Sequence, residues 1–99
     1  MNIHLMIFVS SINEPEKSAA MMKTVESFIR PVKGDILDDP GFHPDFHNGY
    51  EVVKVTLNYA EGDCWVSLAP LAIEVQDLNI ETYLENLVSH GWRIVAPEG

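Results

Sequence analysis

Apolar and polar residues alternate along several stretches of this chain and recur at helical spacing in two others. The clearest alternation begins at Tyr50. There YEVVKVTLNYA, EGD, CWVSLA and PLAIEV predict a β-hairpin and its continuation. In the first arm Val53, Val55, Leu57 and Tyr59 share one face, and Val52, Lys54, Thr56 and Asn58 share the other, as in a half-buried strand. A two-residue turn at Glu61-Gly62 pairs Tyr59 with Cys64, Leu57 with Val66 and Val55 with Leu68. Every such pair is apolar on both sides, which suits the pleat. Gly62 supplies the positive φ of a tight turn. Beyond Leu68 the apolar positions move from even to odd, at Leu71, Ile73 and Val75, with Pro70 at the change. A bulge or break at Ala69-Pro70 would keep these side chains on the core side.

Asn2–Ser10 forms another alternating run. Ile3, Leu5, Ile7 and Val9 line one face, and His4, Met6, Phe8 and Ser10 the other. Two largely apolar faces indicate a central strand. Helical spacing appears next: Asn13 as N-cap, Glu16 completing a capping box, Pro15 in the first turn, then Met21, Met22, Val25, Phe28 and Ile29 as a buried stripe. These predict a helix to about Arg30, ended by Pro31. Residues 31–49 are irregular, with three prolines, three glycines and four aspartates; Ile36-Leu37 offers a short strand or turn. A second helix follows Asn79, with Ile80, Tyr83, Leu84, Leu87 and Val88 on one face and Gly91 after its end. Trp92–Ala96 reads as a last short strand.

The predicted order, β-α-loop-β-β-α-β, resembles the ferredoxin-like sandwich. That resemblance implies one α+β domain over residues 1–99, a four-stranded antiparallel sheet of order 4-1-3-2 and both helices on one face. The 31–49 segment is then an irregular acidic loop. The superfold hosts many unrelated functions and brings none with it.

Charge adds an asymmetry. The net charge is −9. Residues 1–33 balance at +1, whereas residues 34–99 carry twelve acids against Lys54 and Arg93 alone. Such a field repels phosphate backbones and favours basic partners, so no nucleic acid is expected. One cysteine allows no internal disulfide, and the apolar run Ile3–Val9 is too short for a membrane span. The expectation is a cytoplasmic protein with no membrane association.

Two sets of residues carry candidate chemistry. If both helices cover one sheet face, the other displays Met6, Phe8, Thr56, Asn58, Trp65 and Ser67. Bulky apolar groups there point to a partner-binding surface, for a protein partner that charge favours being basic, or for a second copy of the chain. RNA-recognition domains of this fold place stacking aromatics similarly, but the bases that would hold phosphate are missing. His43, Asp45 and His47 are metal-ligand types; Pro44 opposes the helix that would bring the histidines together. Cys64 falls on the core face, as an inert thiol does. The acylphosphatases share the topology and use an arginine after the first strand, where this chain has Ser10, Ser11, Ile12, Asn13 and Glu14. The expectation is therefore a small acidic interaction module of inhibitor, immunity or regulatory type, without cofactor. The alternative is a small ligand- or metal-binding protein, conceivably an enzyme, with its site at the 31–49 loop.

Overall fold

The computed structural model describes residues 1–12, 14–42, 49–73 and 79–95. Strand β1 (Asn2–Ser11) is central. Its odd positions Ile3, Leu5, Ile7 and Val9 are each no more than 8% exposed. After a 3-10 turn (Pro15–Lys17), β2 (Ala19–Glu26) returns antiparallel along one edge of β1, from Val9 opposite Ala19 to Asn2 opposite Glu26. Strand β3 (Ile36–Leu37) pairs with the start of β4 (Tyr50–Asn58), and β4 pairs antiparallel with β5 (Asp63–Leu68). Strand β5 lies parallel to β1, with Ile3 opposite Cys64 and Leu5 opposite Val66. Strand β6 (Leu71–Ile73) continues along the same edge, with Val9 opposite Leu71. Helix α1 (Ile80–Ser89) and β7 (Arg93–Ile94), which pairs with β2, follow. The order is β3-β4-β5-β1-β2-β7, a mixed sheet curled into a half-barrel. Ile80, Tyr83 and Leu87 of α1 join the odd face of β1 in the core, with Met21, Val52, Cys64, Val66 and Trp92.

This overturns the ferredoxin-like expectation. There is one helix among the described residues, the sheet is mixed, and its order is not 4-1-3-2. The helix expected over residues 13–30 is replaced by the 3-10 turn Pro15–Lys17 and, at its centre, by β2. Its supposed stripe ends on Phe28 and Ile29, which are 104% and 80% exposed. Intrinsic helix preference is worth at most about 0.7 kcal/mol per ordinary residue. A central strand apolar on both faces needs a neighbour on each edge, and that tertiary demand outweighs local spacing. Met21 is then fully buried and Val25 half-buried, two positions of the inward face.

The hairpin register also differs. Leu57 faces Cys64 and Val55 faces Val66, two residues away from the predicted pairing. The turn spans residues 59–62 and is closed by Asn58, whose carbonyl and side-chain Oδ1 accept from Glu61 N at 3.2 and 3.3 Å. Gly62 has the expected positive φ of 74°. A shift of two preserves parity, so apolar residues still meet apolar ones. A bulge between Val52 and Lys54 then exchanges the faces. Val52 is fully buried while Val53 is 41% exposed, the reverse of the prediction. Leu57, expected in the core, is half-exposed. The helix packs over β1 and β7 and leaves the far end of β4 uncovered.

Expectations for α1 and for the break at Pro70 hold. Asn79 caps α1, its Oδ1 accepting from Glu81 N at 2.7 Å, and Gly91 follows with a positive φ of 95°. Leu68 and Leu71 are both buried, so the break at Ala69-Pro70 does keep the apolar side inward. Gly49 occupies the close approach of β3 to β4. A Cβ there would lie 2.5 Å from the Leu37 carbonyl oxygen, at a φ of 75°. No helix among the described residues is long and apolar enough to cross a membrane.

The burial pattern predicts unequal losses. Leu87→Ala, at a site with no exposure, should cost about 2–5 kcal/mol. Leu57→Ala, at a half-exposed site, should cost under about 1 kcal/mol. Urea unfolding of both variants checks this, and equal losses would reverse the assignment of Leu57.

Candidate interaction surface

The helix covers one side of the sheet, and the even positions of β1 point to the other. Pairing carries that outer face across the strands in rows. Lys54, Ser67, Met6, Met22 and Arg93 form one row. Thr56, Trp65, His4 and Thr24 form the next. Asn58, Asp63, Asn2 and Glu26 form a third. On the far side of the first row Phe8 stands opposite Ala20. All six residues proposed for partner binding, Met6, Phe8, Thr56, Asn58, Trp65 and Ser67, therefore lie on this one face.

The middle row is organised by His4. Its Nδ1 lies 2.8 Å from Thr24 Oγ1 and its Nε2 3.5 Å from Asp63 Oδ2. Its ring sits against Trp65, with centroids 4.3 Å apart and planes tilted by 31°. The imidazole is thus tethered at both nitrogens and gives the indole a fixed surface to rest on. Trp65 remains 37% exposed and Phe8 49%. A shallow cavity of about 170 Å³ between Met6, Phe8, Ala20 and Ser67 completes the patch.

Residues missed in the sequence are those of β2 and β7: Ala20, Met22, Thr24 and Arg93. They were hidden because residues 19–26 fit a helical stripe. The available signal was the alternation of Met21 and Val25 with Thr24 and Glu26.

The inner side holds a second polar cluster. Lys23, on the inward face of β2, places Nζ 2.8 Å from Asp39 Oδ1. Asp39 Oδ2 accepts from Trp92 Nε1 at 2.9 Å and from Gly41 N at 2.8 Å. Asn86 Nδ2 donates to the Gly41 carbonyl at 2.8 Å, tying α1 to the same loop. Burial raises the Asp39 carboxyl, but the hydrogen bonds from Lys23, Trp92 and Gly41 outweigh it and hold the group below its ordinary value. Phe42 meets Tyr50 edge-on, with centroids 4.7 Å apart. The Tyr50 and Tyr83 hydroxyls are 3.0 Å apart. Burial, aided by that contact, pushes the Tyr50 hydroxyl well above its ordinary value. Beside this cluster an apolar cavity of about 250 Å³ opens between Ile3, Leu5, Val25, Ile29, Pro31 and Leu37, with Asp38 and Asp39 at its wall.

The proposed metal ligands His43, Asp45 and His47 lie outside the described residues. Among the described residues no three His, Cys, Asp or Glu side chains are grouped to hold a metal. Cys64 is a buried free thiol.

Asp39→Asn keeps acceptors for Trp92 and Gly41 but leaves the half-buried Lys23 ammonium without its charge partner. The loss at neutral pH should be about 1–3 kcal/mol. A carboxyl lowered in the folded state contributes stability that is present above its unfolded value, near 3.8, and lost as pH falls through the folded one. Urea midpoints followed from neutral to acid pH should therefore converge for wild type and Asp39→Asn; a constant gap would remove Asp39 from the account.

No family model matches this chain, and no curated protein or solved structure is significantly similar to it.

Proposed function

We propose that this chain is a small acidic interaction module, not an enzyme, that docks a protein partner on its outer sheet face. One observation carries the reading: Trp65, Phe8 and Met6 lie together on the face that the helix leaves uncovered. Large aromatic groups in such a setting are the residue types that anchor protein interfaces. The chain's single thiol, buried in the core, supports a reducing, cytoplasmic home.

The alternative, a ligand site at the 31–49 loop, has the apolar cavity beside Pro31 and Leu37 in its favour. Its most enclosed polar group, Asp39, is already occupied by Lys23, Trp92 and Gly41. Among the described residues little remains there to orient a ligand, so the outer face is preferred.

The test is site-specific photo-crosslinking in the native host. Phe8 or, as a control, the exposed Glu85 of α1 is replaced by p-benzoylphenylalanine. Adducts should form from position 8 and be absent or much weaker from position 85. Equal labelling from both positions would overturn the proposal.

A further inference from the structure

The outer face has a charge pattern that specifies its partner further. Lys54 and Arg93 are the only two bases among residues 34–99. Both fall on this face, at opposite ends of one row. The row on the other side of Trp65 and His4 carries Asp63 and Glu26. Same-face rows lie about 6.7 Å apart, so a cationic row and an acidic row flank the aromatic row, roughly 13 Å from each other. In a chain of net charge −9 these three rows hold two bases and two acids, with the signs separated into bands.

Resting on the reading of this face as a docking surface, we propose that its partner is a second copy of the same chain. A two-fold axis along the Thr56–Trp65–His4–Thr24 row turns the face over and exchanges its two sides. The cationic row of each copy then lies over the acidic row of the other. Lys54, on β4, comes opposite the partner's Asn58, with the partner's Asp63 one strand over. Arg93, on β7, comes one strand from the partner's Glu26. A strand spacing of about 4.8 Å is within reach of both long side chains. Trp65 and His4 meet their own counterparts on the axis, as an isologous interface requires.

Other partners fit less well. A basic protein meets Lys54 and Arg93, and an acidic one meets Asp63, Glu26 and the net charge of the chain. Present partners of the acidic row leave it free to be engaged. Among the described residues Glu26 is held by the N-terminal amine at 3.5 Å, with its side chain 80% exposed, and Asp63 by His4 at 3.5 Å. Glu81 and Glu85 sit on the helix, across the sheet from this face, so their repulsion between copies is weakened by distance and salt. Because the sheet curls around its core, two such faces touch over their middle rows. The interface belongs in the small class, under about 1,200 Å² in total, and the dimer is reversible.

Sedimentation equilibrium of the full chain tests this. The wild type should pass reversibly from 11.1 kDa monomer to dimer as concentration rises. Lys54→Glu with Arg93→Glu makes both charged rows acidic; Glu26→Lys with Asp63→Lys makes both basic. Each double variant alone should dimerise at least about tenfold more weakly, and an equal mixture of the two should restore a heterodimer. Arg93→Glu and Glu26→Lys, at exposed sites, repeat the comparison if Asp63→Lys disturbs folding. A wild type that stays monomeric near millimolar concentration, reversed variants that dimerise like wild type, or a mixture that fails to pair would each overturn the proposal. The same crosslinker placed at Trp65, on the axis, separates this from the broader reading. An adduct with a different protein, from a chain that is monomeric alone, overturns the second copy and keeps the docking face; no adduct removes both.

Discussion

Strand β1 carries the constraint on which this fold depends. It is apolar on both faces and has strands on both edges, β2 on one side and β5 with β6 on the other. One face needs a cover, and α1 provides it. The other receives no cover from within the described residues and becomes the surface on which Phe8 and Trp65 stand. The core and the candidate interface are thus two sides of the same ten residues. Parallel pairing of β1 with β5 requires the chain to travel away and return, which β2, the loop and the β4–β5 hairpin accomplish. Most contacts join residues distant in sequence, so ordering the sheet means closing long loops before its core is rewarded.

A polar device holds the open side of the half-barrel. Lys23 points inward from β2, and its charge is met by Asp39, which also gathers Trp92 and Gly41. One carboxylate joins β2, the 38–42 loop and the segment entering β7, and Asn86 adds the helix through Gly41. Each donor here would be costly if buried alone. Collected on one acceptor, they fix how the loop closes over Phe42, whose ring then packs between Tyr50 and Trp92. Such a network holds geometry more than it adds stability.

How much of this was legible in the sequence varies by element. β1, α1 with its Asn79 cap, and the break at Pro70 were readable, because each has one dominant local signal. The outer-face grouping of Phe8, Trp65, Thr56 and Ser67 was readable too, since parity along a strand survives even a register error of two. β2 was not. Met21, Met22, Val25, Phe28 and Ile29 satisfy helical spacing as well as they satisfy nothing else, and the demand that decides between helix and strand comes from β1, far away in sequence. The bulge at Val53 was equally hidden: its effect is to bury Val52 and expose Val53, two residues with the same side chain. With β2 lost, so were Met22, Thr24 and the link to Arg93, and the banded charge of the face could not be seen.

The rows of the outer face exist only if residues 19–26 form a strand against β1. The most direct measurement is the solution NMR of the backbone across this segment. Cα shifts displaced to the extended side, with cross-strand contacts between the Met6–Met22 and His4–Thr24 partners, are the predicted result. Helical Cα shifts with contacts three residues apart along Ala19–Glu26 would contradict it, and would take the rows of the interaction surface apart.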